Sequence, residues 1–133
     1  MTRHRLARAI ALASLTGRAW LALVAFDLAR LAGFARVHAI LTRSQPSPRR
    51  SSVTETDVVR AVDEACVWYV KRAACLQRSA VAAWLLRRHG FAADLVIGCR
   101  PLPFESHAWV ELDGRVVNDR PQYQKVFRVL DRM

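Results

Sequence analysis

Cys75-Leu76-Gln77-Arg78-Ser79-Ala80-Val81-Ala82-Ala83-Trp84-Leu85-Leu86-Arg87-Arg88-His89-Gly90 reads as one helix with a cysteine at its front end. Leu76, Ala80, Ala83, Trp84 and Arg87 recur at helical spacing, so one stripe is mostly apolar. Arg87, Arg88 and His89 fill the last turn, where the helix dipole favours cations, and Gly90 is a natural stop. A cysteine at the opposite end feels the positive pole of that dipole and unpaired backbone N–H groups. Such surroundings favour thiolate and lower a cysteine pKa from about 8.5 to roughly 3.5–7.5. The spacing alone does not put Cys75 there. Neither Gly nor Pro occurs in Lys71-Arg72-Ala73-Ala74, so propensity would run a helix straight through. A reactive Cys75 therefore requires a break just before it.

Upstream, Thr54-Glu55-Thr56-Asp57 supplies a capping oxygen and early acid, which starts a helix near Thr54. Val58, Val59, Val62, Ala65, Cys66, Tyr69 and Val70 follow as its apolar stripe, with Cys66 a small buried hydrophobe. Residues 42–53 are rich in Pro and Ser, keep no apolar period and read as a linker. Residues 1–41 are rich in Ala, Leu and Arg and read as two helices that break near Gly17. Leu21, Val24, Ala25, Leu28 and Leu31 form the stripe of the second, open to core packing or to docking on a partner or membrane surface. Asp27 and Arg30 interrupt the apolar run, and a bilayer-spanning helix needs about 20 mostly apolar residues, so no span is predicted.

Downstream of Gly90 the period changes to two. Strands are expected around Leu95–Cys99, over Ser106–Leu112 and over Arg115–Asp119, with Asp113-Gly114 as a hairpin turn signal. Residues Arg120 to Met133 are basic and mixed, with Tyr123, Val126, Phe127, Val129 and Leu130 able to pack back. Helices followed by a small antiparallel sheet make an α+β fold, with residues 54–133 as the catalytic domain.

The totals set bounds. One domain with a modest core fits 133 residues. The net charge of +10 favours an acidic partner. Its basic residues are dispersed and not interleaved with aromatics in a nucleic-acid-binding motif. Three cysteines make no disulfide framework, which suits a reducing cytoplasm. No histidine lies at short ligand spacing from them, so neither zinc nor another cofactor is expected.

If Cys75 is a nucleophile, it needs a base, and the base needs an orienting group. His107 is the candidate base. His89 is fourteen residues along the same helix at about 1.5 Å each, too far from its N-terminus. Asp119 is the candidate orienter. With a two-residue turn, Ala108 would face Asp119, and His107 would point to the opposite side of the sheet. A three-residue loop over Leu112-Asp113-Gly114, or a bulge further along, would bring the two to one face. The expectation is therefore a hairpin that is not a simple two-residue one. Gln77 is a candidate oxyanion donor, and Trp109, two residues past His107, shields the site or touches substrate. Singly, each residue also has a structural reading: an inert thiol, a satisfied strand histidine, an aspartate on a loop backbone.

Cys75-Leu76-Gln77-Arg78-Ser79, Leu85-Leu86-Arg87-Arg88-His89-Gly90, Leu95-Val96-Ile97-Gly98 and the run His107 to Asp119 share an order and spacing. In that order the chain resembles the transglutaminase-like cysteine peptidases of lasso-peptide biosynthesis, in the short form that works with a separate leader-recognition protein. The resemblance covers about Val58 to Tyr123. It implies a papain/transglutaminase-like fold, Cys75 as nucleophile, His107 as base and acid, and Asp119 as orienter. It implies removal of the leader from a ribosomal precursor peptide, with the recognition protein, the precursor and the lasso cyclase as partners. Ala73-Ala74 departs from the stronger helix breaker such a site calls for. Two alternatives stay open at this point: acyl transfer to an amine by the same triad, and a basic binding or adaptor protein without enzyme activity.

Overall fold

The computed structural model describes residues 2–48 and 52–133. Helices α1 (Arg3–Leu31), α2 (Phe34–Arg43), α3 (Glu55–Val67) and α4 (Cys75–Arg88) precede strands β1 (Ala93–Pro101), β2 (Phe104–Leu112) and β3 (Arg115–Val116). A short helix α5 (Tyr123–Val126) and strand β4 (Arg128–Arg132) complete the chain. The sheet is antiparallel throughout in the order β3-β2-β1-β4. This is the expected α+β arrangement, helices first and a small antiparallel sheet after.

The N-terminal region departs from expectation. α1 runs unbroken through Gly17, whose α-carbon faces open space, and the chain turns instead at Gly33 with φ +104°. A mid-helix Gly costs about 1 kcal/mol against Ala, too little to break a helix held by packing. The buried stripe is also a different one. Leu15, Ala19 and Leu23, four residues apart, face α3 and α4, while Leu21, Leu28 and Leu31 are exposed. Where apolar residues encircle a helix, periodicity cannot choose the inward face. By length and composition α1 could cross a bilayer: its most apolar 18-residue window has mean hydropathy 1.7. Leu15, Ala19, Leu23, Val37 and Leu41 nonetheless share one core with Val58, Val62, Leu85 and Leu95.

Asp27 extends the buried stripe by one more step of four, and it chooses the face. Its carboxylate accepts the Tyr69 hydroxyl and the Gln77 side-chain N–H, and pairs with Lys71 at 2.9 Å. Trp20 Nε1 donates to the Trp68 carbonyl at 3.2 Å. These contacts bind residues 68–71 to α1, and they end α3 at Val67 where local propensity would have carried it on. Val70, expected on the α3 stripe, is left exposed. At its other end α3 starts as expected, with a reciprocal cap between Thr54 and Asp57.

The sheet has two unlike faces. Ala93, Leu95, Ala108, Val110 and Leu112 pack toward the helices, whereas Val96 and Trp109 pack on Phe127 behind the sheet. Gly98 is required there. A Cβ at that position would lie 2.7 Å from Trp109 Cη2 and 2.9 Å from Phe127 Cβ. The C-terminal segment does more than pack back. It forms β4 beside β1, and Leu95 and Met133 exchange two backbone hydrogen bonds of 2.8 Å. Arg87, expected as a last-turn cation, is buried and donates to the carbonyls of Ala93, Leu41 and Met133, which ties α2, β1 and the C-terminal segment to α4.

Burial, reinforced by the Asp27 carboxylate, pushes the Tyr69 phenol up to about 12 from its usual 10.0. A raised pKa gives stability that is complete below the unfolded value and lost as pH rises through the folded one. Stability should therefore fall between pH 10 and about 12, and the fall should shrink in Tyr69→Phe, as read by urea unfolding across that range. Asp27→Ala, which leaves the half-buried Tyr69 hydroxyl and one Gln77 N–H without this acceptor, should cost about 1–3 kcal/mol at neutral pH. An unchanged urea midpoint would remove Asp27 from this role.

Candidate active site

α4 begins at Cys75, so the expected break is present. Ala74, its N-cap, is extended (φ −70°, ψ 163°), and no side chain caps this end. The first intrahelical bond runs from Arg78 N–H to the Ala74 carbonyl at 3.0 Å. The N–H groups of Cys75, Leu76 and Gln77 therefore have no partner within the helix. In front of them lies a cleft of about 440 Å³ lined by Cys66, Val67, Arg72, Ala73, Ala74, Cys75, Arg78 and His107.

His107 reaches the cleft from β2, where it pairs across from Gly98. Its Nε2 lies 2.9 Å from Asp119 Oδ2, and the two side chains are only 18% and 15% exposed. With Nε2 on the carboxylate, Nδ1 is the ring nitrogen left out of that pairing. Tyr123 meets the ring edge-on at a centroid distance of 4.5 Å, and Phe127 stacks at 5.8 Å. The imidazole is thus held by one polar bond and an aromatic wall.

Asp119 reaches His107 by a route the sequence did not suggest. The hairpin is a simple two-residue turn after all: Leu112 pairs with Arg115, and Asp113 and Gly114 both have positive φ, 53° and 77°. Such a turn matches the twist of the flanking strands. The ladder instead stops early, for β3 ends at Val116 and not at Asp119. Val117 N–H still donates to the Val110 carbonyl at 3.0 Å. Val110 N–H, however, goes to the side-chain oxygen of Asn118 at 2.8 Å. That side chain takes the place of the strand's backbone, so the chain turns away and Asp119 escapes the alternation that would have put it on the wrong side.

Asn118 and Ser79 form a buried clamp behind the site. Asn118 Nδ2 donates to Ser79 Oγ at 3.0 Å, and Ser79 Oγ donates to the Ala108 carbonyl at 3.1 Å. Arg78 makes a second link, from its NH2 to Asp119 Oδ2 at 2.9 Å and from its NH1 toward Asp63 at 3.8 Å. Both residues follow Cys75 within one turn of α4. Arg78 and Ser79 reach other elements through polar side chains with nothing periodic to mark them, and Asn118 hides among strand-forming residues. Burial, with some repulsion from Asp119, pushes the Asp63 carboxyl up against the pull of Arg78.

Gln77 is not free to serve as an oxyanion donor. It is 2% exposed, and its amide donates to the Leu23 carbonyl at 2.9 Å and to Asp27 at 3.0 Å. It shapes the site by anchoring the first turn of α4 to α1. Trp109 is fully buried, donates from Nε1 to Glu111 at 2.9 Å, and stacks 6.4 Å from the His107 ring, which makes it packing and not a substrate contact. Burial also raises the Cys66 thiol, which keeps this neighbour of Cys75 protonated. His89 stays at the far end of α4, its imidazole lowered by burial, and His38 sits 3.5 Å from Asp131. Among the described residues no group of three or more His, Cys, Asp or Glu is arranged to hold a metal.

Comparison with known proteins agrees with this architecture. A family model described as the transglutaminase-like superfamily matches residues 19–132. The microcin J25-processing protein McjB of Escherichia coli is 41% identical over 56 residues, which cover 42% of this chain and 27% of that protein. The chain thus spans about a quarter of the relative's length. No solved structure matches. The family match takes in the second half of α1 together with α4, β2 and the Asp119 turn, and on that extent the chain belongs to the transglutaminase-like superfamily.

Proposed function

We propose that this chain is a cysteine peptidase that removes the leader from a ribosomally made lasso-peptide precursor. The observation that carries the reading is the pairing at His107. One ring nitrogen is held by Asp119, and the ring lines the cleft in which α4 starts at Cys75. The name of the McjB relative, a microcin-processing protein, supports peptide processing as the setting.

In this mechanism His107 Nδ1 takes the Cys75 proton, and the thiolate attacks the carbonyl of the leader–core peptide bond. The uncapped N–H groups at the start of α4 receive the oxyanion, where dipole and donors act together. His107 then gives its proton to the departing amine of the core peptide. Water, deprotonated by the same imidazole, attacks the thioester, releases the leader as a free carboxylate and restores the thiol. Asp119 holds the ring in the tautomer and tilt that the exchange needs. Residues 54–133 carry these groups, and α1 braces them through the bond from Gln77 to Asp27. A separate leader-recognition protein presents the precursor, and the released core passes to a cyclase. All three cysteines are unpaired thiols, which fits work in a reducing cytoplasm.

The test is incubation of the chain with the recognition protein and precursor, followed by mass spectrometry. Cys75→Ala should abolish cleavage while the complex with precursor still forms, and turnover equal to wild type would refute the assignment. Asp119→Asn should keep the fold and lower kcat about 10- to 1,000-fold, since the ring loses its orienting charge. Unchanged kinetics would remove Asp119 from the site. A leader product joined to an added amine, in place of a free carboxylate, would convert the reading to acyl transfer.

A further inference from the structure

We propose that Arg78 is a positioning residue for this reaction, setting the register between the nucleophile's helix and the carboxylate that orients the base. The inference rests on the catalytic reading of Cys75, His107 and Asp119 given above. Arg78 lies three residues after Cys75, so both project from one side of α4. Its NH2 reaches Asp119 Oδ2 at 2.9 Å, the same oxygen that His107 Nε2 contacts at 2.9 Å. Asp119 Oδ1 is taken by the backbone N–H of Arg120 at 3.0 Å. The carboxylate is therefore fixed from three sides, by its own loop, by the base and by the helix that carries the thiol. The other arm of the guanidinium points to Asp63 of α3 at 3.8 Å. One planar group thereby spans α3, α4 and the turn after β3.

Two consequences follow from that geometry. The Asp119 turn belongs to no regular element, and the Asn118–Ser79 bond holds only the preceding residue to α4, so the carboxylate itself needs its own reference. Arg78 supplies one through a charge-assisted bond of fixed direction. Arg78 also sets a positive charge beside the Asp119 carboxylate, one of whose oxygens meets two donors in a half-buried setting. Loss of this bond shifts the ring that Asp119 holds, and a small misplacement of a reacting group is costly in rate.

The experiment is a double-mutant cycle between Arg78→Gln and Asp119→Asn in the full chain with recognition protein and precursor. A parallel series follows alkylation of Cys75 by iodoacetamide, read on the Cys75 peptide by mass spectrometry. Arg78→Gln should lower kcat about 10- to 100-fold, the worth of one hydrogen bond to a charged group, with KM changed by less than about twofold. It should cost nothing further in the Asp119→Asn background, because it acts through that carboxylate. Arg78→Lys, which restores the charge and one donor, should recover most of the loss; where Arg78→Gln fails to fold, Arg78→Met, which keeps the side-chain length and removes the donors, carries the same cycle. Independent, additive losses, a rise in KM at constant kcat, or an unchanged rate would each overturn the proposal. If wild type does not cleave the precursor, yet Cys75 alkylation slows in Arg78→Gln and not further in the double variant, the peptidase reading fails and the positioning role stands.

Discussion

The carboxylate of Asp27 is the constraint on which the rest of this molecule depends. It lies on the longest helix, and it gathers Tyr69, Lys71 and Gln77 from a stretch that would otherwise be continuous helix. Burial works to raise its pKa, but the bonds from Tyr69, Lys71 and Gln77 outweigh that and hold it below the usual carboxylate range. Because α3 is stopped by this anchor, α4 has a beginning, and because α4 begins at Cys75, the thiol stands before a row of unpaired N–H groups. The start of α4 is thus tied to α1 by a contact between residues fifty apart in sequence, Asp27 and Gln77.

This explains which parts of the fold could be read from the residues in order. The cap at Thr54, the period-two strands after Gly90 and the Asp113-Gly114 turn are local signals, and each appears where its chemistry puts it. The halt before Cys75 could be inferred only because a nucleophile would need it; nothing in Lys71-Arg72-Ala73-Ala74 announces it. Its cause is tertiary. The same holds for the inward face of α1, which a helix apolar on all sides leaves undetermined until Asp27 selects it. The fourth strand was hidden for another reason. Arg128–Arg132 is exposed along its length, so its sequence lacks the alternation that marks a half-buried strand.

The candidate site divides in the same way. Cysteine, histidine and aspartate are few, and their order along the chain singles out Cys75, His107 and Asp119. The path that unites the last two was not legible, because strand alternation fixes their sides only while the ladder persists. Asn118 ends the ladder with its own side chain, a substitution of amide for backbone that leaves no pattern in sequence. Gln77 looked like a donor facing the reaction and is instead spent on α1. Arg78 and Ser79 stand in the helix stretch as polar residues with no assigned partner and are the polar links to the loop and strand opposite. In each case the residue type was noticed, and the partner was not.

The missing side chain at Gly98 has an implication for engineering. Trp109 and Phe127 close over it from behind the sheet, and the imidazole of His107 leans on both. The tilt of that ring is therefore adjustable from the reverse side of the domain, through the bulk of side chains that do not line the cleft. Substitutions in this rear aromatic stack would move the imidazole while leaving the cleft wall unchanged.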